Sequence, residues 1–212
     1  AERNQHGSHR PAAIDILNMV GPTIVQPWRA AIAAAKSLPD LRKLQQRLYT
    51  YRVLDPACGS GNFLYIAYRE LKRIETELAA RIAEASPKDA KGQRAFGFVT
   101  TKQFFGLDIV PFAVELAKVT LTIAHKLAID ELHVEESALP LDNLDQNIRC
   151  VDALIDWPVD GSTPADLDPE KPRPLTAWPP ADAIIGNPPF LGPKGVKPER
   201  GPAYVKALHR AC

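Results

Sequence analysis

Residues 183–192, AIIGNPPFLG, place an amide side chain, two prolines and an aromatic ring directly after small and aliphatic residues. The apolar run has the composition of a buried strand end. Two prolines cannot extend a sheet, because neither has an N–H to give to the ladder. The backbone there is stiff and short of donors, so what it offers is acceptors. The Asn187 amide oxygen and the Pro188 carbonyl can take the two hydrogens of an amino group on a planar base, which turns the nitrogen lone pair toward a methyl donor. Phe190 can stack on that base. Neutral acceptors suffice when the donor carries its own good leaving group, and positioning then supplies most of the rate. Taken alone, Asn187-Pro188-Pro189-Phe190 is also a serviceable rigid turn.

Three carboxylates stand at comparable places earlier in the chain. LDPACGSGNF (54–63) follows a short apolar run, and Gly59 and Gly61 allow a tight turn with close backbone approach to a ligand. A third glycine of the dinucleotide fingerprint would fall at Leu64, and no Gly-Lys-Ser/Thr follows, so neither a pyrophosphate loop nor a Walker loop is indicated. Asp55 beside the loop would repel phosphates but suits an ammonium or sulfonium group. FGLDIVPF (105–112) ends its strand on Asp108, which suits a bidentate grip on two ribose hydroxyls, with Ile109 against an adenine face; equally, Asp108 can cap the helix begun by Pro111. RCVDAL (149–154) offers Asp152, either as an acceptor for an exocyclic amine or as a simple cap. Together the three acids outline a pocket for a nucleoside with a cationic tail, the shape of S-adenosylmethionine.

The elements that must hold these residues follow from periodicity. Strands are expected at 52–56, within KQFFGLDI, within NIRCVDALI and within ADAIIGNPPF. Residues 61–85 form a helix with Leu64, Ala67, Leu71, Ile74, Leu78 and Ile82 on one face and Arg69, Glu70, Lys72, Arg73 and Glu77 on the other. A second helix starts at Pro111, and the Ala-rich stretch Ala30 to Leu38 reads as a third. Residues 158–180 are a Pro- and Asp-rich loop, long enough to be an insertion. Strands alternating with helices predict an α/β fold with a mostly parallel, doubly wound sheet, whose ligands sit beyond the carboxyl ends of the strands.

Composition excludes little. The chain of 212 residues, 45% hydrophobic and 24% charged with net charge +1, has the balance of a soluble globular domain and no strong basic excess. Three dispersed cysteines, Cys58, Cys150 and Cys212, indicate neither a disulfide framework nor a zinc site and fit a reducing, cytoplasmic setting. No metal site is expected from His6 and His9 in the polar first ten residues, and no apolar run approaches a membrane span. Cys58 inside the glycine turn reads as small-residue packing, and His125 as a structural residue of its helix. Lys194, Lys197 and Arg200 are either contacts to a DNA backbone or a solvated loop. Both ends read as cut from a longer protein.

DPACGSGNFL followed by NPPF resembles motifs I and IV of amino-group DNA methyltransferases, in the order of the gamma-type adenine-N6 enzymes. LDPACGSGNFLYIAYREL, GLDIVPFAVELAK, NIRCVDALI and IIGNPPFLGPK with GPAYVKAL resemble, more closely, the methyltransferase region of the MmeI-like type IIL/IIG restriction–modification proteins. The resemblance implies a Rossmann-like class I methyltransferase, with residues 1–50 as a helical lead-in and 51–212 as a core that stops after the fourth strand. It implies S-adenosylmethionine as cofactor, held around Asp55, Ala57, Gly59, Gly61, Asn62, Asp108, Ile109, Asp152 and Ala153. Asn187, Pro188, Pro189 and Phe190 then form the catalytic corner for the N6 amino group of an adenine flipped out of double-stranded DNA, with most DNA contact in parts outside this chain. The family's N-terminal Gly-x-His-Tyr-Thr-Pro stands here as GSHRPAAI (7–14), without the Tyr-Thr pair, and Thr23 is a weak substitute. Cytosine-N4 methylation and a non-catalytic cofactor- or partner-binding module are the alternatives.

Overall fold

The computed structural model describes residues 12–86, 97–132, 143–160, 162–164, 166–168, 171–189 and 193–211. Three helices come first: α1 (Ala13–Val20), α2 (Gln26–Ala34) and α3 (Leu38–Thr50). A π-helical turn, Gly21–Val25, joins α1 to α2. Pro22 has no N–H for an α-helical bond back to Asn18, and the wider turn absorbs the misfit. The Ala-rich helix expected from Ala30 to Leu38 instead ends at Ala34, and a new helix starts at Leu38. The break has a local cause: Ser37 Oγ accepts from Asp40 N (3.4 Å) and caps α3, which carries Pro39 in its first turn.

The sheet then builds from β1 (Val53–Asp55), helix α4 (Asn62–Ala85), β2 (Phe104–Asp108), helix α5 (Pro111–Leu132), β3 (Ile148–Cys150), β4 (Ala183–Ile184) and helix α6 (Pro193–Ala211). The strand order is β3-β2-β1-β4 and every pairing is parallel, with Val53 opposite both Phe104 and Ala183 and Gly106 opposite Ile148. This is the predicted Rossmann-like α/β architecture. The chain moves outward through β2 and β3, then returns to the other side of β1 to lay down β4. The order therefore reverses between β1 and β4, and the crevice beyond that point is where such sheets bind ligands.

One core joins the N-terminal helices to the sheet. Ile16, Val20, Ile24, Trp28 and Leu48 are buried in the same cluster as Val53, Leu64, Leu71 and Phe104. Gln103 locks the junction, donating to the carbonyls of Leu48 (2.8 Å) and Tyr51 (2.9 Å) at the end of α3. The predicted apolar face of α4 is buried, but its polar face is not uniformly solvated, because Lys72 and Glu70 are buried too. Lys72 Nζ pairs with Glu75 (2.9 Å) and donates to the Val99 carbonyl (3.4 Å), while Glu75 accepts from the backbone N–H of Phe98 and Val99. A lone charge there would be costly, and the segment entering β2 supplies the missing partners. His125 is structural as expected, its Nδ1 2.6 Å from the Tyr68 hydroxyl between α5 and α4.

Two elements differ from expectation. β3 stops at Cys150, since Asp152 Oδ1 accepts from the backbone N–H of Leu154 (2.9 Å) and Ile155 (3.3 Å) and turns the chain. Ile155 then makes an isolated antiparallel bridge to Leu175. From Pro193 the basic stretch is a helix, not a loop. Its two halves meet at Gly201 (φ 83°, ψ 161°), a backbone conformation open to glycine, and Pro198 and Pro202 mask the helical pattern in the sequence.

Candidate cofactor and target-base site

The tips of β1 and β4 meet at Asp55. Ile185 N donates to the Leu54 carbonyl (2.9 Å), which carries the β1–β4 register one step beyond the strands and brings Gly186 beside the Asp55 carboxylate. A Cβ on Gly186 would lie 2.5 Å from Asp55 Oδ1. The residue before Asn187 therefore has to be glycine for this approach to exist. Asp55 itself is fully buried. Its Oδ1 accepts from Ala57 N (3.0 Å), and its Oδ2 is buried with no hydrogen-bond partner among the described residues. Burial pushes the carboxyl up to about 7, the Ala57 N–H opposes this, and the nearby Asp108 adds to it.

The glycine turn hangs between β1 and β2. Cys58 N donates to the Leu107 carbonyl (3.0 Å), and Gly61 N donates to the Cys58 carbonyl (2.8 Å). Gly61 has φ 83°, and a Cβ there would sit 3.0 Å from Ala117 Cα on α5, so the turn needs glycine on both counts. Asn62 follows as the first residue of α4, whose first backbone N–H groups have no partner within the helix. Asp108, half-buried, spans the gap: its Oδ2 accepts from Gly59 N (2.8 Å) and its Oδ1 from Val110 N (2.9 Å). Each of its oxygens keeps a further lone pair. Ile109 is half-buried next to it. Cys58 packs its thiol against Gly106, where a Cβ would be 2.9 Å away; burial and the two aspartates push the thiol well above its usual range, which disfavours a nucleophilic thiolate.

Asp152 is buried at the tip of β3, and its carboxylate is already engaged. Arg200 of α6 forms an ion pair with Oδ2, and the Tyr204 hydroxyl donates to Oδ1 (3.3 Å). The Arg200 guanidinium lies 4.7 Å over the Tyr204 ring, which meets Trp157 edge-on at 5.4 Å. Ala153, beside Asp152, accepts the Trp178 indole N–H on its carbonyl (2.6 Å). Burial first, then the Asp152 charge, pushes the Tyr204 phenol up to about 12.

Asn187 is half-buried and Pro188 and Pro189 are exposed beyond β4, while Phe190 lies outside the described residues. The same is true of residues 7–11 of the GSHRPAAI stretch, and Thr23 is exposed in the π-helical turn. Sequence reasoning missed Gly186 and Tyr204, and it read Arg200 as a DNA-backbone contact or part of a solvated loop, whereas the structure pairs it with Asp152. Gly186 was legible as the lone glycine between an apolar run and Asn187. The spacing of four between Arg200 and Tyr204 was hidden by Gly201 and Pro202.

Comparison with known proteins bears on the family and the fold. The chain matches the family described as MmeI, DNA-methyltransferase domain, over residues 30–209. It is 30% identical over 204 residues to DNA methyltransferase A of Bacillus subtilis (strain 168), covering 91% of this chain and 21% of that protein. It is 34% identical over 121 residues to a putative type II restriction enzyme and methyltransferase of Methanocaldococcus jannaschii, covering 55% of this chain and 10% of that one. Its fold is similar to that of the type IIL restriction–modification enzyme MmeI solved in complex with DNA, with TM-score 0.55 and 26% identity over 66% of this chain and 19% of that chain. The chain thus spans about a fifth of the length of MmeI and of the Bacillus relative. It belongs to the MmeI DNA-methyltransferase domain family.

Proposed function

We propose that this chain is the cofactor- and target-binding part of a restriction–modification DNA methyltransferase that acts in the cytoplasm, using S-adenosylmethionine to methylate the N6 amino group of an adenine flipped out of the duplex. The observation that carries the reading is the contact of the two strand tips, Asp55 beside the glycine turn against Gly186 beside Asn187. It supports a reading in which a cationic nucleoside lies next to a pair of neutral acceptors. The residues fit such a cofactor: the unpartnered Asp55 Oδ2 suits the ammonium or sulfonium end, and Asp108 retains lone pairs for two hydroxyls. Ala57, Gly59, Gly61 and Asn62 supply backbone, with Ile109, Asp152 and Ala153 toward the adenine.

Bound there, S-adenosylmethionine supplies a methyl group on a sulfonium, already an excellent leaving group. The chain's own residues have only to place the attacking nitrogen. Asn187 and the Pro188 carbonyl accept the two amino hydrogens, which holds the amine with its lone pair directed at the methyl group. Pro188 and Pro189 fix that corner, because their φ angles are locked before the base arrives. Phe190 stacks on the flipped base. No strong base is required ahead of attack, since the nitrogen loses its proton only after it has gained the methyl group. With a net charge of +1, the chain is not built to hold a long stretch of DNA by itself.

The test is transfer of a radiolabelled methyl group to duplex DNA, followed by separation of the nucleosides. Label in N6-methyladenine is expected, falling by about a hundredfold or more with Asn187→Ala, comparable to loss of a positioning hydrogen bond at other active sites. Label in N4-methylcytosine would overturn the choice of base. Transfer indifferent to Asn187 would overturn the catalytic corner.

A further inference from the structure

Asp152 is expected to meet the cofactor's adenine amine, yet its carboxylate is not a free acceptor. Oδ1 already receives Leu154 N (2.9 Å), Ile155 N (3.3 Å) and the Tyr204 hydroxyl (3.3 Å), which exceeds its two lone pairs. Among the described residues Oδ2 receives Arg200 alone, which leaves it one lone pair. An amine can therefore join only at Oδ2, alongside the guanidinium. Arg200 and Tyr204 are in turn braced: the guanidinium stacks on the Tyr204 ring, and that ring packs against Trp157. Tyr204, Trp157, Ile155 and Ala207 form a small buried cluster separate from the main core. Gly201, between the two residues, breaks α6 where Arg200 and Tyr204 converge on one carboxylate.

We propose that Arg200 and Tyr204 are positioning residues for adenine recognition, holding the Asp152 carboxylate oriented so that Oδ2 keeps one lone pair for the cofactor's exocyclic amine. This rests on the reading of the β3 tip as the adenine end of an S-adenosylmethionine site. The physical reason lies in burial. Asp152 is 5% exposed, and removing the guanidinium leaves Oδ2 a buried acceptor with nothing to fix its direction. An Asp152 side chain released from Arg200 and Tyr204 no longer presents a fixed acceptor to the amine. The grip has a second consequence, because α6 is the helix that follows Asn187. Arg200 thereby anchors the chain leaving the target-base corner to the strand tip that meets the cofactor.

The experiment compares two ligands by calorimetry on the 212-residue chain: S-adenosylhomocysteine and its analogue with hydrogen in place of the adenine amino group. The unmodified chain is expected to prefer the amine-bearing ligand by about tenfold or more, as for one hydrogen bond to a charged acceptor. Arg200→Met should bring that preference below about threefold, and Tyr204→Phe, which keeps the ring against Trp157, should lower it severalfold. A purely structural role would weaken both ligands equally and leave the ratio intact, and that result overturns the proposal. If the unmodified chain binds both ligands equally, Asp152 does not meet the amine, and the proposal falls while the cofactor site stands. If it binds neither, the proposal and the cofactor reading fall together.

Discussion

Gly186 and Asp55 touch across the β1–β4 boundary so closely that a methyl group on Gly186 would lie 2.5 Å from Asp55 Oδ1. The two belong to segments 131 positions apart in sequence, one leading into the glycine turn and the other into Asn187. Their contact brings the two strand tips together.

Gly186→Ala should therefore do more than fill space. The added methyl group must push Asp55 off its bond to Ala57 or displace the chain ahead of Asn187. Overpacking of this kind costs about 2 kcal/mol, which a shift in the urea midpoint at unchanged m-value would register. Both methyl transfer and cofactor affinity should drop. A variant as stable as the parent, with unchanged cofactor affinity, would show that the two tips are not packed as described.

Asp55 makes stability depend on pH in an unusual direction. The folded carboxyl keeps its proton up to about 7, whereas the unfolded one loses it near 3.8. Between those values the unfolded state binds fewer protons, so stability falls as pH rises through the window, and the deficit persists above it. The size is on the order of 3–4 kcal/mol for a fully buried group. Asp55→Asn removes this slope, so its unfolding free energy should gain on the parent's by that amount from pH 4 to pH 8. Ligand binding should show the converse. A cationic cofactor end binds the ionised form, so affinity rises by up to about tenfold per pH unit below 7 and levels off above it. Equal slopes for parent and variant would remove Asp55 from both effects.

How much of this was legible in the sequence depends on whether the signal was local. The glycine turn, the three acidic tips and the Asn-Pro-Pro corner each sit in one short stretch, and the alternation of apolar strands with amphipathic helices sufficed for the parallel sheet. What could not be read are relationships between distant stretches. Lys72 looks like a surface residue of α4 until Glu75 and the Val99 carbonyl, from another segment, are seen to receive it. Asp152 looks like an open acceptor until Arg200 and Tyr204 arrive from a helix that Gly201 and two prolines disguise. Asp108 resolves differently. Its cap-like bond to Val110 follows one of the two expected uses, while its other oxygen holds Gly59 N, a contact that neither use foretold.

The most direct measurement is calorimetric titration of S-adenosylmethionine into the chain, in parallel with Asp108→Ala. Asp108 holds the glycine turn through Gly59 and, on the proposed reading, grips the ribose hydroxyls, so its removal should disarm the site while the core, which it does not enter, stays folded. Saturable one-to-one binding by the parent, weakened at least about tenfold in the variant, is the expected result. No binding by a folded parent chain, or equal binding by parent and variant, would contradict the placement of the cofactor at the tips of β1 and β2.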